Sequence, residues 1–185
     1  MRNICIVFVA FLFMNLNAQN VTNKELPYYE ITECPKTYTA GTVAARMIDG
    51  LGFRYFWATE GLRDEDLVYK ISESSRTSAE TIEHLLGLSK FILGSISKSE
   101  RNNTELELSF KEKRELTLKN FKKAADILRF TKKVSQFDNK FPFWNIINGP
   151  IADALWHCGQ IVMLRRGSGN PFNSKVSVFT GKLRE

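Results

Sequence analysis

At 185 residues the chain has room for one domain with a sizeable core, and at 43% apolar and 25% charged its composition is that of a globular protein. Its net charge of +6 is mild, and much of it lies in Lys111 to Lys133, where nine Lys or Arg stand against three acids. The segment does not read as basic residues interleaved with an exposed aromatic platform and matches no known nucleic-acid module, so a solvated helix face is expected and nucleic acid is not an expected partner.

The first residues differ from the rest. Met1-Arg2-Asn3 is a short positive start, Ile4 to Leu16 is apolar apart from Asn15, and a small residue, Ala18, precedes Gln19. This is the pattern of a cleavable signal peptide over residues 1–19. A mature protein beginning at Gln19 or Asn20 is expected, periplasmic or secreted; the alternative is an anchor that stays attached. The apolar run is short for a span, and nothing later approaches about 18 apolar residues, so no stable membrane span is expected. Residues 20–38 contain Pro27 and Pro35 and show no period, which reads as an irregular arm lying on the domain.

From Thr39 to about Leu62 the 3–4 spacing predicts a first helix, with Val43, Met47, Gly50, Leu51, Arg54, Tyr55, Ala58 and Leu62 on one face. Gly50 and Gly52 suggest close packing against a neighbouring helix. Phe53, Tyr55, Phe56 and Trp57 read as core, with Arg54 and Glu60 the polar groups nearest to them. Arg63 to Ser75 is polar and serine-rich, a loop. Thr77-Ser78-Ala79-Glu80 is a capping box opening a second helix to about Ser97. Ile82, Leu85, Leu86, Ser89, Leu93 and Ile96 mark its buried side, and His84 lies close beside it. A third helix is predicted from Ser109 to Lys132, with Phe110, Thr117, Phe121, Ala124, Ala125 and Leu128 inward and Arg114 at the edge. Phe137 to Ile147 is aromatic and irregular, a crossover capping one end of the bundle.

The fourth predicted helix is NGPIADALWHCGQIVMLRR, from Asn148 to Arg166. Asn148-Gly149 supplies a start, Pro150 suits the first helical position, and Arg165-Arg166 followed by Gly167, Gly169 and Pro171 supplies the stop. Between those ends it is apolar nearly all round, the mark of a buried helix. Asp153 and His157 break that surface from one face, four residues apart. An acid and an imidazole are costly to bury without a partner. A local pair is one answer and a metal ion the other. His84 and His157 are the two histidines of the chain. If helices two and four face each other, His84, Asp153 and His157 form two imidazoles and a carboxylate, a three-ligand set with open positions. If they do not, His84 is a partly exposed helix residue. The tail after Pro171 contains a short candidate extended segment, Val176 to Phe179. Cys34 and Cys158 could bridge in an oxidising compartment; two buried free thiols are the alternative.

Glu83-His84-Leu85-Leu86 in helix two, Asp153-Ala154-Leu155-Trp156-His157-Cys158-Gly159-Gln160-Ile161 in helix four and the run Arg165 to Pro171 resemble the DinB-like superfamily of bacterial metal-binding four-helix bundles. The likeness covers about Thr39 to Pro171. It implies an all-α fold: a four-helix bundle over 39–171, flanked by the irregular arm and a C-terminal tail, 172–185. It also implies His84 and His157 as ligands of a divalent transition ion, with Asp153 where the family more often has a third His. An acid there suits iron, manganese or nickel as well as zinc. The family includes thiol-dependent transferases and isomerases, whereas export tilts the expectation toward a metal-dependent hydrolase of an unknown small-molecule substrate, or a non-catalytic binding bundle. A homodimer is left open. Asn-X-Thr triplets at Asn20 and Asn102 are read as chance matches in a bacterial context.

Overall fold

The computed structural model of the chain describes residues 26–31, 34–97, 107–138 and 141–185. The expected signal peptide and both Asn-X-Thr triplets begin outside these residues. The architecture is mostly helical. Helices α1 (Ala40–Thr59), α3 (Ser78–Ile96), α4 (Phe110–Arg129) and α6 (Ala152–Gly167) are long. Helices α2 (Asp64–Val68) and α5 (Phe143–Ile146) are short, and a small hairpin pairs β1 (Val176–Ser177) with β2 (Lys182–Leu183) in antiparallel register.

Three of the long helices start at reciprocal caps. Thr39 and Thr42, Thr77 and Glu80, and Ser109 and Glu112 each exchange side-chain and backbone hydrogen bonds across the first turn, satisfying N–H groups that a helix start leaves open. Helix α1 packs on α4 and α6, and α3 packs on the same two, so the four long helices form a ring in the order α1, α4, α3, α6. Ile48, Leu51, Tyr55, Leu85, Ile92, Leu118, Phe121 and Ile161 are fully buried at its centre. Each such side chain contributes about 1.5–3 kcal/mol relative to exposure.

Helix α1 departs from its predicted face. It is buried almost all round, because residues 26–31 cover its outer side: Tyr29 stacks against Phe56 and Trp57, and Trp57 Nε1 donates to the Tyr29 carbonyl at 3.2 Å. The inward stripe is Ala44, Ile48, Leu51 and Tyr55, while Val43 is 48% exposed. The close approaches occur at Gly41, where any Cβ would strike the carbonyls of Leu128 and Thr131, and at Gly52, where it would strike the Tyr28 ring. Gly50 meets only the Arg54 guanidinium. The neighbour that Gly52 accommodates is therefore the arm and not a helix.

Three further expectations are corrected. The segment after Arg63 is not all loop: Asp64–Val68 is helical, with Asp66 fully buried. Arg114 is buried rather than marginal. The fourth helix does not begin at Asn148. Helical backbone starts at Phe143, where the Asp138 carboxylate accepts from the Phe143 N–H at 2.7 Å and Pro142 stays extended. It then passes through a π-turn at Ile147–Ile151 into α6. Pro150 sits inside that turn. A proline ring clashes with the carbonyl four residues back in a regular α-helix, and the wider turn relieves the clash.

The basic helix α4 spends much of its charge locally. Lys119 pairs with Glu115, Lys122 with Asp126, Lys113 with Glu83 of α3 and Arg129 with Asp49 of α1. Among the described residues no helix is long and apolar enough to cross a membrane. Cys34 and Cys158 are free thiols, the first exposed and the second buried, so the bridge does not form.

Candidate metal centre

Helices α3 and α6 lie side by side, and this contact brings His84 to Asp153 and His157. His84 Nε2 is 3.2 Å from Asp153 Oδ2, and His157 Nε2 is 3.3 Å from Asp153 Oδ1. The two imidazoles stand edge to face with ring centroids 4.5 Å apart. One ligating atom from each of the three residues lies within 4.8 Å of the others, a group that could hold a metal ion. Metal–nitrogen and metal–oxygen bonds of about 2.0–2.2 Å put neighbouring ligand atoms roughly 3.0–3.5 Å apart, so the two shortest separations here already fit one ion.

The proton positions point the same way. His157 Nδ1 lies 2.7 Å from Gln160 Oε1. An amide oxygen only accepts, so Nδ1 carries the proton and donates. In neutral His157 this leaves Nε2 with a lone pair facing the Asp153 carboxylate oxygen, two acceptors 3.3 Å apart. Such a contact calls for a cation between them, a proton or a metal. The structure places Gln160 as the group that fixes the His157 ring. A ligating histidine whose other nitrogen is held in this way is the usual arrangement in metal sites.

His157 is 9% exposed, whereas Asp153 and His84 are half-buried on the wall of an open cleft of about 1000 Å³. Trp156, at 75% exposure, Met163 and Ile71 line it, and Arg76 sits on its rim without an ion-pair partner among the described residues. Helix α6 is therefore not buried all round. One side carries Trp156, Gly159, Gln160 and Met163 toward the cleft, and the other carries Ala154, Cys158, Ile161 and Arg165 into the protein.

Glu60 lies elsewhere. Its carboxylate is held by the buried Arg114 at 2.5 Å, with Arg114 stacked over Phe56 and also donating to Thr59 Oγ1. Arg165 is the residue whose part the sequence hid. Read as a terminal helix charge, it is 2% exposed, and its Nη1 donates to the carbonyls of Trp57, Ala58 and Glu60 at 2.9–3.1 Å. It thereby caps the C-terminus of α1 from across the bundle, where carbonyls lack partners of their own. Asp66 forms the adjoining lock, accepting from Arg63, Ser168 and Asn170.

Comparison with known proteins finds no family model, no curated relative and no solved structure that matches this chain.

Proposed function

We propose that this is an exported, DinB-like bundle that binds one divalent transition ion through His84, Asp153 and His157 and serves as a metal-dependent hydrolase of a small molecule. The observation that supports it is the convergence of three lone-pair donors with the His157 tautomer set by Gln160. A divalent ion held there with open coordination positions would lower the pKa of a bound water and supply the nucleophile. The protein's own residues hold the ligand set, turn Nε2 of His157 toward its centre through the Gln160 bond and offer Trp156 and Met163 as an apolar wall for substrate. The mixed donor set suits zinc, iron, manganese or nickel. Export rests on residues 1–19.

Metal analysis of the purified protein tests this reading. About one ion per chain is expected, lost in His157→Ala and in His84→Ala while helical content is kept. Undiminished metal in both variants would place the ion elsewhere.

One observation favours a second reading, a bundle that binds its ligand without reacting it. Among the described residues Asp153 is the only carboxylate lining the cleft, and Glu60 is committed to Arg114, so none of them offers a separate general base at the centre. Stoichiometric metal without hydrolysis of ester, amide or phosphoester panels would favour this second reading.

A further inference from the structure

Helix α6 has a second cavity on its other side. About 270 Å³ in volume, it lies between α1, α6 and the C-terminal hairpin. Trp57, Val162, Phe172 and Val176 give it apolar walls, and Cys158 faces it from a position 2% exposed. Two guanidinium groups break this apolar lining. Arg54 donates through Nη1 to the Gly50 carbonyl at 2.9 Å, and Arg166 stands over the Phe172 ring at 5.8 Å from its centroid. Neither forms an ion pair with a described carboxylate. Elsewhere in the protein Arg63, Arg114 and Arg129 each have an acid within 3.0 Å. Two arginines beside one apolar chamber, with no carboxylate of the described residues between them, form an arrangement suited to an anion.

We propose that this cavity binds a short-chain aliphatic carboxylate, its hydrocarbon among Trp57, Val162 and Phe172 and its carboxylate between Arg54 and Arg166. The volume matches that of about nine waters at roughly 30 Å³ each, which admits a chain of a few carbons and not a long acyl tail. The planar guanidinium fork takes a carboxylate or a phosphate alike, and the size of the cavity favours the smaller carboxylate. The thiol does not compete as a reactive group: burial pushes the Cys158 pKa up to about 12, so Cys158 is a neutral, apolar part of the wall. The site stands apart from the metal cluster, because His157 and Asp153 project from the opposite side of α6.

Titration of the protein with hexanoate, followed by calorimetry and by the tryptophan fluorescence of a Trp144→Phe, Trp156→Phe variant that keeps Trp57, tests the proposal. Saturable one-to-one binding is expected. Affinity should rise about fourfold per methylene from butanoate to hexanoate and stop rising once the chain outgrows the cavity. Arg166→Gln, at an exposed position, should weaken hexanoate at least tenfold while leaving hexanol unchanged, and Arg54→Gln should do the same. Val162→Phe should block both. His157→Ala should bind hexanoate like the parent; loss of binding there would move the carboxylate to the metal cluster and overturn the proposal. Equal hexanoate affinity in the parent and in Arg166→Gln would overturn it as well, as would the absence of saturable binding to the parent.

Discussion

Gln160 Oε1 accepts a hydrogen bond of 2.7 Å from Nδ1 of His157, one turn earlier on the same helix. The bond fixes both the rotation of the imidazole and the nitrogen that is left to ligate. Gln160→Ala frees the ring without touching the three ligands, so metal affinity should drop about 10–100-fold, as outer hydrogen-bond partners of ligating histidines typically require. Competition against a chelator of known affinity measures this, and an unchanged affinity would remove Gln160 from the site.

Asp153→His replaces the bridging carboxylate by a third imidazole. The variant should keep one ion per chain and shift its preference toward zinc over manganese, because carboxylate oxygen favours the harder ion. Occupancy in parent and variant should fall on acidification, since imidazoles ligate only when deprotonated. Paired metal analyses after equilibration with both ions decide the point.

Arg165→Leu deletes the guanidinium that serves three carbonyls at the end of α1. Those carbonyls then remain buried without a donor, which costs about 3–5 kcal/mol. A fall in Tm on the order of 10 °C is expected by thermal denaturation. Arg165→Lys should recover only part of it, because a single ammonium cannot span the same acceptors.

Asp66 sets an acid limit on stability. Its hydrogen bonds, that from the Arg63 side chain first and then those from Ser168 and Asn170, hold its carboxyl well below the ordinary range against the opposing effect of burial. A folded pKa below the unfolded value near 3.9 stabilises the fold above that value, and the contribution is lost as pH falls through it toward the folded pKa. Asp66→Asn should lower stability by about 1.5–3 kcal/mol at pH 7 and flatten its decline below pH 4. Denaturant titrations across that range provide the comparison.

The thiols give a further test. Cys34 is exposed and Cys158 is buried with a raised pKa. In protein that begins after residue 19, a thiol reagent should label Cys34 at once and Cys158 only after unfolding, and reductant should leave Tm unchanged.

Helix existence was legible because its signals are local. Thr77 to Glu80 and the stripe from Thr117 to Leu128 give both the start and the inward face of their helices. The face of α1 was not, since its outer cover is the arm around Tyr28 and Tyr29, and periodicity cannot register a cover supplied from elsewhere. Asn148-Gly149-Pro150 carries the marks of a helix start, yet the Asp138 cap on Phe143 had already begun the helix, leaving Pro150 inside it. His84, Asp153 and His157 could each be placed on a helix by spacing. Their meeting depends on which helices adjoin, and no spacing within a single helix encodes that. Arg165 was hidden for the same reason, because its partners lie more than 100 residues away.

The π-turn at Ile147–Ile151 acts as a phase setting for everything after it. The Ala152 N–H reaches the Ile147 carbonyl five residues back, so one residue more than a regular turn needs is stored there. Each residue of an α-helix advances the chain by about 100° and 1.5 Å. Losing one residue from this turn would swing Asp153 and His157 by that angle, away from His84, while leaving every ligand in the sequence. A lineage of such chains could therefore gain or lose the centre through a single-codon insertion or deletion ahead of it, with all three ligand codons untouched.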